Sequence, residues 1–244
     1  MTELRELPTP QGPGRLHVDP ARGAAGERVR LLLGHGAGGG VEAPDLLALA
    51  ARLPDDGVTV VRLEQPWRVA GRKLAGRPAT LDQALHAAID ALPDTAAPLV
   101  LAGRSAGARS ACRVAAQQGS GSHQPSAAGV ICLAFPLHPP GKGGDPEKSR
   151  GGEPAGVIAA GVPLHVVQGS RDAFGSDEDV RAVLDPRRGE AAGVVHGIPL
   201  ADHSFVVPKR AGAAAGTSTE QALDQVVEAV SHALAAILEG GSSE

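Results

Sequence analysis

The sequence predicts an α/β protein with a mostly parallel central sheet, helices on both faces and no cap domain. Three observations predict it. Short apolar runs alternate along the chain with segments of helical periodicity, the pattern of βαβ units. The runs are apolar at successive positions, as strands covered on both faces require. Polar, glycine-rich loops follow the runs, and in such sheets ligands bind outside the carboxyl ends of the strands. At 244 residues the chain is long for one domain, yet it reads as a single α/β unit over 1–244, without internal repeat or linker.

Residues 1–25 open with a Pro- and Gly-rich stretch and read as an antiparallel hairpin at the sheet edge. Parallel strands are expected at 29–33, 58–63, 99–102, 128–134, 163–168 and 193–195. Helices separate them. Residues 44–53 begin with Pro-Asp and carry a Leu/Ala face, and residues 79–92 begin near Thr80 and Asp82 and carry Leu81, Leu85 and Ile89. Residues 105–118 are Ala-rich, and 176–184 start with Ser-Asp-Glu-Asp, which is good cap chemistry. The last helix starts with a capping box, Ser218 and Gln221, and repeats Leu223, Val226, Val227, Val230, Leu234, Ile237 and Leu238 on one face. The polar stretch 136–154 reads as a surface loop, too polar to fold as a cap. Gly-Ala-Ala-Ala-Gly at 212–216 reads as a second flexible connection.

Composition excludes several function classes. A net charge of −4, from 23 basic and 27 acidic residues, gives no global attraction to nucleic acid or an anionic membrane. Aromatics at 2%, with no Tyr, leave no stacking platform for bases or sugars. Cys112 and Cys132 lie in apolar or small-residue runs and read as buried free thiols rather than a disulfide framework. No His, Cys or carboxylate spacing points to a metal site, and no cofactor is expected. The N-terminus lacks an apolar signal core and no apolar run reaches about 18 residues, so a soluble, cytoplasmic protein is expected.

The loops at the carboxyl edge carry the chemistry. The first, GHGAGGG, contains G-x-G-x-x-G at Gly34, Gly36 and Gly39, and Glu64 ends the next apolar run where a ribose-binding carboxylate would sit. A dinucleotide fold starts its helix at the last glycines, so that the helix N-terminus meets the pyrophosphate. Here GVEA intervenes before Pro44-Asp45, and the dinucleotide reading is the remote alternative. The third loop, GRSAG, matches G-x-S-x-G between an apolar strand and an Ala-rich helix. Its glycines allow the sharp turn that pushes the Ser105 hydroxyl outward, at a helix N-terminus that favours an oxyanion. An ordinary Gly-rich turn is the bland alternative.

A serine nucleophile needs a base, and the base needs an orienting acid, in the chain order Ser, acid, His. Asp172, in GSRDAFG, and His203, in ADHSF, follow strands in the right intervals. Asp177 and Asp179 read as helix caps, Asp202 is too near His203 in sequence to face it, and His196 comes too early.

HGAGGG, GRSAG, GSRD and ADHSF, in this order, resemble an α/β-hydrolase of the small, lidless, dienelactone-hydrolase-like kind. QPWRVAGRK and FPLHPPGK resemble more specifically the group similar to testis-expressed protein 30 and its bacterial relatives. The resemblance covers roughly Val29 onward. It implies an α/β-hydrolase fold and an oxyanion hole from the backbone N–H groups of Ala37 and Ala106. Ala108 stands where a second glycine would be expected and should crowd the helix.

The implied function is a serine hydrolase of small esters or thioesters, acting through an acyl-enzyme. The alternative is a non-catalytic binding or scaffold protein that keeps the fold. Arg68, Arg72, Lys73 and Arg77 crowd one edge loop, Arg104 precedes Ser105, and Lys142 ends HPPGK. They read either as recognition of an anionic substrate group or as solvated and ion-paired loop charges. His35 and Trp67 join Arg68, Arg72, Lys73, Arg104 and Lys142 as candidate pocket residues. The acyl group and the oligomeric state are not specified by any motif.

Overall fold

The computed structural model describes residues 1–23, 26–117, 126–184 and 193–240. Ala24 and Ala25 of the expected hairpin segment, and Gln118 at the end of an expected helix, lie outside the described residues. Strands β1 (Glu3–Leu7) and β2 (Gly14–Asp19) form the expected antiparallel hairpin. Its turn closes where the Thr9 hydroxyl bonds Gly12 O, with Gly12 at φ +103°. Strand β2 then pairs antiparallel with β4 (Val58–Glu64). From there the sheet is parallel, through β3 (Val29–Gly34), β5 (Leu99–Arg104), β6 (Ala127–Leu133), β7 (Leu164–Gly169) and β8 (Val194–Ile198). The strand order is β1-β2-β4-β3-β5-β6-β7-β8.

Successive strand residues face opposite sides, which is why the runs are apolar throughout. Leu32, Leu101, Val130, Cys132 and Val166 enter one core, with α3 (Pro78–Ala91), α4 (Ala106–Ala116), α5 (Gly152–Ala159) and α6 (Asp177–Val183). Leu31, Leu33, Val100, Ile131 and Val167 enter the other, under α1 (Pro44–Arg52) and α8 (Thr219–Gly240). With so few aromatics, aliphatic side chains fill both cores, and Phe135 and Phe205 are the largest fully buried residues. Helix α8 buries the expected stripe, and Ser218 Oγ accepts from Gln221 N at 3.2 Å to cap it.

The chain leaves β4 by crossing over β3 to β5, so the loops after β3 and β5 diverge to opposite faces of the sheet. This is the switch point at which α/β sheets form clefts. Two glycines let the elements approach there. A Cβ on Gly107 would overlap the Gly34 backbone, and a Cβ on Gly103 would overlap Gly107 and Ala108. Ala108 itself is fully buried, and α4 runs through it unbroken.

Three segments differ from expectation. Helix α5 grows from the end of the polar stretch. Pro154 sits in its first turn, where the missing N–H is not needed, and Val157 is buried in the core. Residues 212–216 are not a flexible connection. Alanine propensity carries α7 (Lys209–Ala215) to Gly216, which stops it at φ +67°. The second edge loop contains a short helix, α2 (Pro66–Val69), started by its proline.

Candidate active site

Ser105 sits between β5 and α4 at φ 53° and ψ −111°, a strained conformation for a side-chain-bearing residue. The turn is held because Ser105 N donates to Leu133 O at 2.9 Å. The result is a hydroxyl that projects into a cleft at the carboxyl edge. Asp172 lies in the loop after β7, with its side chain out of contact with solvent. Its Oδ1 accepts from Phe174 N at 2.8 Å, and its Oδ2 accepts from Gln168 Nε2 at 3.0 Å. His203 lies after β8 in a loop tied by Asp202. The Asp202 Oδ1 atom accepts from Ser204 N at 2.8 Å and Val206 N at 3.0 Å.

These three residues, far apart in sequence, meet. His203 Nδ1 is 2.7 Å from Asp172 Oδ2, and His203 Nε2 is 3.0 Å from Ser105 Oγ. The carboxylate can only accept, so Nδ1 carries the proton and Nε2 offers its lone pair to the serine hydroxyl. Phe174 packs on the imidazole with ring centroids 4.2 Å apart. Asp179 makes a capping box with Ser176, and Asp177 pairs with Arg181 at 3.0 Å, so both are structural as expected. His196 instead meets His165 at 3.1 Å between β7 and β8.

Ala37 and Ala106 line the same cleft as Ser105. Ala106 is the first residue of α4, where a backbone N–H has no intrahelical acceptor. Ala37 is exposed in the loop after β3. That loop is fixed by His35, which is buried and bonded on both ring nitrogens, to Gly36 O at 2.9 Å and from Gln65 N at 3.1 Å. Burial lowers the His35 pKa, so the ring stays neutral.

Most of the expected pocket residues are elsewhere. His35 braces the loop from beneath, and Trp67 is buried edge-on against it with centroids 5.4 Å apart. Arg68 packs over the Gly40 backbone, while exposed Arg72, Lys73 and Lys142 stand outside the cleft lining. Nor does Glu64 brace the basic loop. Its carboxylate pairs with His17 at 3.1 Å and Arg15 at 3.7 Å on β2. Its carboxylate is thus committed to β2, and α1 starts only at Pro44 rather than at the last glycines. Arg104 does line the cleft, but it is engaged. Its Nε lies 3.2 Å from Asp45 Oδ2, and its Nη2 donates to His203 O and Ser204 Oγ at 3.0 Å each. Asp45 is buried, and burial raises its pKa against the pull of Arg104.

Several site residues have weak sequence signals. Gln168 ends an apolar strand four positions before Asp172, and a polar residue there is its only mark. Arg109 and Arg150 also line the cleft, the second from a stretch that reads as a plain polar loop. The cleft measures about 640 Å³ and includes Ser105, His203 and both candidate oxyanion donors. Among the described residues no cluster of His, Cys, Asp or Glu could hold a metal ion. No helix in them is long and apolar enough to cross a membrane.

Sequence and structure comparisons agree with this architecture. A family model described as an alpha/beta hydrolase domain matches residues 27–234, and the chain belongs to that family. No match was found among curated proteins. Among solved structures, the chain is similar to an alpha-beta serine hydrolase homologue from Coxiella burnetii, with TM-score 0.68 and 20% identity over 93% of this chain and 97% of that one. It is similar to a lidless α/β serine hydrolase from Xanthomonas campestris, with TM-score 0.66 and 20% identity over 95% and 94%. It is also similar to a dienelactone hydrolase from Anabaena variabilis, with TM-score 0.66 and 17% identity over 95% and 97%. At these identities the likeness establishes the lidless α/β-hydrolase fold.

Proposed function

We propose that the protein is a serine hydrolase that cleaves small esters or thioesters through an acyl-enzyme. One observation carries the reading: the relay from Asp172 through His203 to Ser105, with contacts of 2.7 and 3.0 Å. His203 Nε2 takes the Ser105 proton as Oγ attacks the carbonyl carbon. The oxyanion then forms against the N–H groups of Ala37 and Ala106, a contribution of about 10²–10³ in rate for one such donor. Collapse breaks the bond to the leaving alcohol or thiol, which takes the proton from His203. Water, deprotonated by the same nitrogen, attacks the acyl group and frees Ser105. Asp172 holds the tautomer and balances the imidazolium charge. Its bonds from Gln168 Nε2 and Phe174 N hold it in place. The single α/β unit needs no further domain for this chemistry. An open cleft favours a small or protruding ester over a long buried acyl chain.

A panel of p-nitrophenyl esters of increasing acyl length tests the reading. Short esters should turn over, and Ser105→Ala should lower kcat at least about 10³-fold. Absence of turnover on every ester and thioester, with the protein folded, would favour a binding protein that keeps the fold.

A further inference from the structure

Three guanidinium groups line the cleft, those of Arg104, Arg109 and Arg150. Two are balanced. Arg104 is paired with buried Asp45 at 3.2 Å. Arg109 grips both carboxylate oxygens of Glu153, through Nε at 2.8 Å and Nη2 at 2.7 Å. Glu153 is shared with Arg113, whose Nη1 lies 2.9 Å from Oε1, so one carboxylate offsets two guanidiniums. Arg150 differs. Its Nη1 donates to Pro136 O at 2.9 Å, and among the described residues no carboxylate lies within ion-pair distance of it. That bond fixes the head of the side chain while leaving Nε and Nη2 for another acceptor. Arg150 is only partly exposed, and Arg109 stands beside it as a like charge. Burial and that repulsion lower its pKa against a weaker pull from Glu153, and an anion at its free N–H groups would offset both. Asp172 is on the far side of His203 and is already bonded by three donors.

We infer that Arg150 is the anion subsite of the cleft and binds a carboxylate carried by the acyl or alcohol part of the ester. This rests on the serine hydrolase reading and adds a substrate class to it. The fork of Arg150 and the adjacent charge of Arg109 suit a planar carboxylate, which accepts two parallel N–H bonds. The cation is a different one from the exposed basic loop after β4, which stands outside the cleft.

The test is a matched pair of esters, p-nitrophenyl butyrate and the mono-p-nitrophenyl ester of glutaric acid, measured at low ionic strength. Wild-type protein should prefer the anionic ester at least about tenfold in kcat/KM, the effect of one charge-assisted bond. Salt should erode that ratio. Arg150→Gln should bring the ratio close to one, and Arg150→Lys should keep part of it as a point charge. Arg5→Ala, on outermost β1, should leave it unchanged. Should Arg150→Gln fold poorly, the Lys variant and the salt titration decide. A wild-type ratio near one, with the neutral ester cleaved, overturns the subsite and leaves the hydrolase standing. A tenfold ratio that survives in both Arg150 variants also overturns it. If neither ester is cleaved while others of the panel are, the subsite falls alone; if no ester or thioester is cleaved, the hydrolase reading and the subsite fall together.

Discussion

Replacing Gln168 with Met should both destabilise the protein and loosen Asp172 against His203. Gln168 is fully buried at the end of β7. Its Oε1 accepts from Phe135 N at 2.7 Å, and its Nε2 reaches Gly175 O at 2.6 Å, Asp172 Oδ2 at 3.0 Å and Phe135 O at 3.2 Å. Met has nearly the same length and no strong polar atom, so little cavity forms and the loss is polar. The two shortest bonds alone orphan a buried N–H and a buried C=O. At about 1–3 kcal/mol each, that is about 2–6 kcal/mol, a large share of the 5–15 kcal/mol typical of a domain. Asp172 keeps the Phe174 N–H and His203, so kcat should fall by about tenfold rather than vanish. Urea unfolding followed by circular dichroism and by the fluorescence of Trp67, the sole Trp, measures the first effect. Ester kinetics measure the second. A loss below about 1 kcal/mol with unchanged kcat would refute the reasoning, because the amide would then be holding neither the loop nor the acid.

Gly107→Ala should cost about 3 kcal/mol or more, since its Cβ collides with the Gly34 backbone rather than with a movable side chain; thermal unfolding checks it. Arg104→Met should cost about 3–5 kcal/mol by leaving the buried Asp45 carboxylate without its cation, and adding Asp45→Asn should recover part of that in a double-mutant cycle. Acid should destabilise the fold through His165, whose pKa burial and the neighbouring His196 lower to about 4. The unfolded chain takes the proton more readily, so stability is full above pH of about 6.5 and declines as pH falls toward 4. Allowing for solvent screening the decline is about 1–2 kcal/mol. His165→Leu should flatten that part of a Tm-against-pH curve.

The parallel sheet was legible because its strands are buried on both faces, which writes an unbroken apolar run such as LLL at 31–33 or VICL at 130–133. The elbow was legible because close approach forces glycine where α4 meets β3 and β5, and a serine stands at a turn whose positive φ would otherwise favour glycine. The carboxylate and imidazole that meet Ser105 were readable from strand order and interval. What escaped depends on tertiary contact. Helix α5 starts Gly-Glu-Pro, a poor helical signal, and forms because Val157 and the Arg109–Glu153 pair dock it on α4. Arg150 enters the cleft only because that helix forms. The basic loop left two readings open, and the structure favours solvated charges. Charge clustering in sequence said nothing of direction, and α2 turns Trp67 inward while Arg72 and Lys73 face solvent. Gln168 looked like a strand end because its partners lie on other loops.

The central claim is that Ser105 is a nucleophile activated by His203. A fluorophosphonate probe reacts covalently with such a hydroxyl, and peptide mass analysis locates the adduct. The account predicts stoichiometric labelling at Ser105, none in Ser105→Ala, and slow labelling in His203→Ala. Absence of labelling in folded wild-type protein, or an adduct on another residue with Ser105 unmodified, would contradict it.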